Sequence, residues 1–384
     1  MDWLRRADWL THERVRGYAL LLALASLALL ANSYLKAMGP AGTDFLAFWG
    51  AGQLTAEGVP AAAYDLAEQE RVQTGTGSEG WFAFVNPPPF LFALVPLGLL
   101  PLPIAWIVWV ASTWGAWAWV SVRAFPRLWP LVLAYPGALI AAGHAQTGLL
   151  TGALLVLAAH ALSRRPRIAG VAIGALVIKP HLAVLAPFWL AAGGRWRAFA
   201  AAGLTAAGLL AAAWLTFGTA TMLAYTDSWA ASRQLVERLN PAFMLRMSTA
   251  FAQLRLLMGD GIALAGAGLS AALALAVALT GWRRVPGDTS AVAAAALAAT
   301  ALASPYLFNY DLPFLVYPTL WLVLQGLERG FRPHEKLALV LLYFAPYATR
   351  AAAFPIGVNL MPLAALALLA LIWTRASTGT VRQG

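Results

Sequence analysis

The 384-residue chain contains no cysteine. That excludes a disulfide framework, a thiolate nucleophile and any cysteine metal site. Charge is scarce as well: Asp, Glu, Lys and Arg make up 11% of the residues, against 61% hydrophobic, and the mean hydropathy is +0.70. A soluble helical protein needs polar faces on its outer helices. Stretches such as GYALLLALASLALLANSY (17–34) and AVAAAALAATALA (291–303) have none. The apolar runs are continuous, without the alternation of a membrane β-barrel. HExxH, DxD and GxxxxGK[ST] are missing too, so His144 and His181 have no recognisable ligand set, neither metal nor cofactor is expected, and there is no nucleotide-phosphate loop.

What is present is a series of apolar runs suited to crossing a bilayer as helices, which makes the chain an all-α polytopic membrane protein. It is expected to form one integral membrane domain over 1–384. The net charge of +10 does not point to nucleic acid, because the basic residues fall in short clusters between apolar runs, as they do where they set membrane orientation. Arg5, Arg6, Arg14 and Arg16 place the N-terminus in the cytoplasm, with Trp3, Leu4, Trp9 and Leu10 spaced to lie along the interface.

The region 35–102 is expected to be a first extracytoplasmic loop with juxtamembrane helices. Its part up to residue 87 carries six acidic residues against Lys36 and Arg71. Prolines at 87–89, 101 and 103 split the next apolar run, and 88–100 is read as a juxtamembrane or re-entrant helix that does not cross. About twelve spans then alternate: 17–34, 103–121, 128–142, 147–162, 168–179, 181–193, 198–217, 259–281, 290–304, 311–326, 337–349 and 358–374. The second extracytoplasmic loop is 218–257, and the C-terminus is cytoplasmic. On this topology the cytoplasmic segments hold 18 Lys/Arg and 6 Asp/Glu, and the external ones 8 and 10. Abundant Gly and Ala within the spans predict close helix packing.

Polar groups near the membrane plane are costly and so mark candidate sites. Five gather on the external side: Asp44, the His144/Gln146 turn, Lys179 with His181, the segment Tyr306–Asp311 with Asn309 and Tyr310, and Arg350. Asp44 precedes FLAFW, where its carboxylate can serve as a general base or as the N-cap of a helix. Lys179 can snorkel or neutralise a lipid phosphate. His144 and Gln146 can bind hydroxyls or satisfy a helix end, and Asp311 can cap a helix or orient a substrate. Asn86 in FVNPPPF is a further substrate-binding candidate. Among Arg233, Arg238, Arg246 and Arg255 in the second loop, one or two can grip a phosphate bidentately.

The run TDFLAFWGAG, then VPAAAYDLAEQE, FVNPPPFLFALVPLGLLP, the stretch from GHAQTG through SRRPR and IKPH to GGRWRAF, and ASPYLFNYDLPFL together resemble glycosyltransferase family 87 over about residues 40–325. This group uses polyprenol-phosphate sugars and includes the mycobacterial mannosyltransferase of phosphatidylinositol mannoside synthesis. The resemblance implies a GT-C fold in the plasma (inner) membrane, with the active site facing the periplasm or outside. It implies Asp44 as the catalytic aspartate, 88–100 as a juxtamembrane helix and Lys179 near the donor. Tyr306 stands where some relatives have histidine, and His144-Ala-Gln146 where some have Gly-Gln or Gln-Asn. The expected reaction is inverting transfer of mannose or another sugar from a polyprenyl-phosphate donor to a hydroxyl of a glycolipid or glycan. The expected partners are those substrates and membrane lipids, with the protein a monomer. The rival reading is a multispanning transporter or flippase, which would predict an internal pseudo-repeat and broken helices near the midplane.

Overall fold

The computed structural model describes residues 2–237, 241–304 and 306–377. Among them the only β-pairing is an isolated bridge between Met247 and Phe308, and helices form the rest of the regular structure. Helix α1 (His12–Ala37) opens with Thr11 Oγ1 accepting from the Arg14 amide at 3.3 Å. It buries only Ala19 and Ala37. A helix apolar on all sides with so little protein contact belongs against lipid.

The chain from residue 45 onward is more structured than a loop. Helix α2 (Phe45–Ala56) is buried over most of its length, and α3 (Leu66–Thr74) closes beside it through Gln69 and Gln73. Gln73 Nε2 donates to Gln69 Oε1 at 2.7 Å and to the Phe82 carbonyl at 2.8 Å, while Gln69 Nε2 donates to the Ala63 carbonyl at 2.8 Å. The proline-rich stretch becomes a 3-10 turn, Pro88–Phe90, and the short helix α4 (Leu91–Gly98), as its prolines dictate. Helices α2 and α4 meet backbone to backbone: a Cβ on Gly52 would stand 2.3 Å from the Leu94 carbonyl oxygen.

Among the described residues five helices are long and apolar enough to cross a membrane: His12–Ala37, Leu102–Ala124 (α5), Trp196–Trp229, Asp260–Arg284 (α11) and Glu335–Ile356. Six shorter apolar helices accompany them among the same residues: Pro88–Gly98, Gly148–Ala161, Pro166–Ile178, Pro180–Ala192 (ending in α9, Ala186–Ala192), Thr289–Ala303 and Met361–Ala376. This is an all-α polytopic membrane protein. One expected span is corrected: 128–142 is not a single helix but Trp129–Leu133 followed by α6 (Pro136–Gly143), because Pro136 cannot donate to the helix before it. The end of span 7 at 217 coincides with Gly218, whose φ of 81° and ψ of 166° are non-helical, and the region from 218 opens with helix: Trp196–Glu237 (α10) is two helices joined across that kink.

Small residues set the packing, as their abundance predicts. A Cβ on Gly170 or Gly174 of α8 (Pro166–Ala175) would stand 2.2 Å and 2.4 Å from carbonyl oxygens of Ala198 and Ala202 on α10. Helix α12 (Thr289–Ala303) is rich in alanine from 291 and buried throughout Ala291–Leu302. Without a hydrophobic drive between helices in lipid, such close approach supplies the dispersion contacts that hold the bundle.

Candidate active site

Four chain breaks bring the candidate residues to one end of the bundle. The first follows α1. Asp44 occupies the N-cap position of α2 in a helical conformation, φ −49° and ψ −21°, and its side chain makes no capping hydrogen bond. Its carboxylate turns elsewhere: Oδ2 accepts from Gln146 Nε2 at 2.9 Å. Half-buried Thr43 beside it has a buried Oγ1 with no hydrogen-bond partner.

The second break joins α6 to α7 (Gly148–Ala161). Ala145 turns the chain at φ 47°, and its carbonyl accepts from Trp109 Nε1 at 2.9 Å. His144 keeps its Nδ1 at 3.0 Å from the Ile140 carbonyl, with its ring 5.6 Å from that of Tyr310. Gly148 is required here: a Cβ would stand 1.7 Å from the Tyr310 carbonyl oxygen, so only glycine lets this turn settle on the fourth break.

The third break is Lys179-Pro180-His181. Pro180 disfavours helical backbone at Lys179, which adopts φ −151° and ψ 70° and so leaves the axis of the preceding helix. Asn86 Nδ2 reaches the Ile178 carbonyl at 3.4 Å, and Tyr64 holds the Asn86 carbonyl at 2.9 Å. Asn86 thus steadies this turn from the first loop. Lys179, 9% exposed, donates to Thr147 Oγ1 at 3.2 Å, forms an ion pair with Asp311, and lies 5.3 Å from the centre of the Tyr310 ring.

The fourth break is the 3-10 segment Asn309–Leu315 ahead of α13 (Val316–Arg329). Asp311 is fully buried, and its second oxygen accepts from the Phe308 amide at 3.1 Å. Of the two alternatives left for Asp311, the cap is the one seen: its carboxylate satisfies the amide at the start of the 3-10 segment. Tyr310 stacks on Phe308 with centroids 5.0 Å apart, and Tyr306 meets the His181 ring edge-on at 6.1 Å. Burial first, and then the charges of Asp311 and Asp44, hold the Tyr306 phenol above its ordinary value of 10.0, so in this connection between helices it stays a neutral donor. His181 Nε2 is buried without a partner.

Asn309 plays a different part from the one its sequence position suggests. It donates to the Pro346 carbonyl at 2.8 Å and to Thr349 Oγ1 at 3.2 Å, and its own oxygen accepts from Asn359 at 2.7 Å. Its capacity is spent on bracing α14 (Glu335–Ile356) and the start of α15 (Met361–Ser377). Lys179 is also committed, since Asp311 already balances its charge. Two other cations have no carboxylate partner among the described residues: exposed Arg246 lies within electrostatic reach of Tyr310 and of half-buried Arg350, and the two arginines repel each other. Arg350 lies inside α14 rather than at its end, over the Phe354 ring at 4.7 Å. Arg255 is tied to Asp260 at 2.6 Å; Arg238 and the side chain of Arg233 lie outside the described residues.

Thr147 is the site residue that sequence reasoning missed, although it stands next to Gln146 in the same GHAQTG turn. It joins two halves of one network. Gln146 holds Asp44, and Thr147 accepts from Lys179, which pairs with Asp311. Such a site offers a carboxylate without a cationic partner among the described residues, imidazole and phenol edges, and a pair of like-charged arginines, which suits proton removal beside an anionic group.

No curated protein and no solved structure matches the chain. The family model of glycosyltransferase family 87 matches residues 84–305. This stretch contains Asn86, the His144–Thr147 turn, Lys179, His181 and Arg246, while Asp44, Asp311 and Arg350 flank it. With more than half of its length matched and its polar turns gathered at one end of a helical membrane bundle, the chain belongs to glycosyltransferase family 87.

Proposed function

We propose that this membrane glycosyltransferase uses a polyprenyl-phosphate sugar, with mannose the leading candidate, and glycosylates a hydroxyl of a lipid or glycan acceptor with inversion. The observation that carries the proposal is the Asp44 carboxylate, which does not cap its helix and is held by Gln146, the residue before the Thr147 that accepts from Lys179. Asp44 accepts the proton of the acceptor hydroxyl as that oxygen bonds to the anomeric carbon. The bond from this carbon to the phosphate oxygen breaks, and its electrons leave with the polyprenyl phosphate. Arg246 and Arg350 balance the growing charge on that phosphate, which relieves their own repulsion. No metal is invoked, because two guanidiniums suffice to make the phosphate a good leaving group.

Lys179 serves this reaction as a positioning residue: its ion pair with Asp311 fixes the Thr147 turn and, through it, Gln146 and Asp44. The sidedness follows from charge. The end that carries Asp44 is the acid-rich one, so the reaction belongs on the extracytoplasmic face of the plasma membrane. The test is transfer in proteoliposomes given polyprenyl-phosphate mannose and a glycolipid acceptor. Asp44→Asn is expected to bind donor and to lose transfer by about a thousandfold, and the product is expected to carry the anomeric configuration opposite to the donor's. Full transfer by Asp44→Asn, or retention of configuration, would overturn the mechanism.

A further inference from the structure

A well-formed cavity lies away from the polar turns, at the opposite end of the bundle. Its volume is about 490 Å³, within the usual range for a small-molecule site. Leu22, Leu131, Val323, Leu327, Val340 and Phe344 make its walls. Its floor is the N-terminal strap ahead of α1, where Trp3 stacks on Trp9 at 5.5 Å. The strap is pinned from three sides: the His334 amide donates to the Arg5 carbonyl at 2.7 Å, Lys336 Nζ to the Ala7 carbonyl at 3.2 Å, and Arg14 to the Trp9 carbonyl at 3.2 Å.

Two features separate this cavity from an ordinary lipid-facing groove. The charged side chains that line it are Arg16, Arg127 and Lys336, joined by His12, and no carboxylate does; Asp8 and Glu13, close by in sequence, are outside its lining. Neither exposed Arg16 nor exposed Arg127 is paired with a carboxylate among the described residues. In addition, Trp9, which lines the cavity, has a buried indole Nε1–H without an acceptor. An unpartnered buried donor costs free energy until an acceptor arrives.

We propose that this cavity binds one anionic diacyl phospholipid from the leaflet on the N-terminal side. Its acyl segment lies along the apolar wall beside α1, itself a lipid-facing helix. Its phosphodiester accepts from Arg16, Arg127 and Lys336, and a lipid oxygen accepts from Trp9 Nε1. A zwitterionic headgroup is disfavoured because its ammonium would face three cations. A second copy of the chain is a poorer occupant, since the site is concave and narrow, whereas protein partners bury broad patches.

Native mass spectrometry of delipidated protein, offered phosphatidylglycerol or phosphatidylcholine with identical acyl chains, tests the proposal. One retained phosphatidylglycerol is expected, favoured about tenfold over phosphatidylcholine. The R16Q/R127Q variant is expected to lose that preference, while R164Q/R167Q, which changes exposed arginines outside the cavity, keeps it. Equal retention of the two lipids would overturn the proposal. So would loss of preference in both variants, stronger retention of a polyprenyl phosphate, or a dimer in place of bound lipid. Should R16Q/R127Q fail to elute as a folded monomer, the single change R127Q at an exposed side chain gives the same reading, with a smaller loss of preference expected and an unchanged preference overturning it.

Discussion

Lys179–Asp311 and Glu335–Arg375 are both buried ion pairs, set at opposite ends of the bundle. In the second, Arg375 Nε meets Glu335 Oε1 at 2.6 Å, the Arg332 amide donates to Glu335 at 2.8 Å, and Arg375 also reaches the Gly330 carbonyl at 2.8 Å. Every one of those partners belongs to the turn before α14, to its first residue or to the end of α15, so the pair locks two neighbouring helices. Lys179–Asp311 instead joins turns from distant parts of the chain, and around it are Tyr310, Thr147 and a His181 Nε2 that has no partner. A closed pair fastens; a pair bordered by unspent polar atoms builds a place for something else. The comparison teaches that burial of a charge pair does not by itself mark a site, and that unmet hydrogen-bonding capacity beside it does.

The largest effect that would break this comparison comes from removing one cation of each pair. Lys179→Met and Arg375→Met should both destabilise the protein by about 3–5 kcal/mol, because each strands a buried carboxylate. Thermal melting in detergent measures that cost. Only Lys179→Met should also lower the turnover of protein that remains folded, and a matching loss in Arg375→Met would erase the distinction.

The next effect sharpens the assignment of charge. Arg246→Gln and Arg350→Gln should each raise the KM for donor about tenfold with a smaller change in kcat, since Lys179 is already neutralised by Asp311. Steady-state kinetics at saturating acceptor reads this, and unchanged donor KM in both would return the phosphate to Lys179.

A smaller loss is expected for Gln146→Leu, about tenfold in kcat, with melting little altered because Gln146 is half-buried and anchors no helix. Smallest is Tyr306→Phe. The raised phenol is neutral through the working pH range, and any stability it lends is complete below its ordinary value of 10.0 and lost only as pH rises through the elevated one. Transfer should fall about threefold or less, and the alkaline limb of the pH profile should coincide with that of the parent protein. A shifted limb would make Tyr306 the titrating group.

Much of the frame was legible in the sequence. The proline clusters that place a short helix at 88–100 and break the chain at Lys179-Pro180 act locally, through missing amide donors and forbidden backbone angles, so each is visible in a few consecutive residues. Pro136 is equally visible, but it sits inside an apolar run, 128–142, whose composition and length read as one span with or without it. The helix beyond Gly218 was hidden for another reason: a polar, arginine-bearing stretch reads as loop whether or not its backbone is helical.

The sequence by itself determined that this is an all-α membrane protein of glycosyltransferase family 87, and that its polar residues cluster in certain turns. These properties depend on composition and on short-range order. Only the tertiary structure decided what those residues do to one another. Asp44 and Gln146 are 102 residues apart in the chain, and Lys179 and Asp311 are 132 apart. A carboxylate before a helix caps it unless a distant amide holds it away, and a lysine is free to meet a phosphate unless a distant aspartate already balances it. Those outcomes rest on how glycine-lined helices close upon each other, as at Gly148 against Tyr310, and no local pattern specifies that closure.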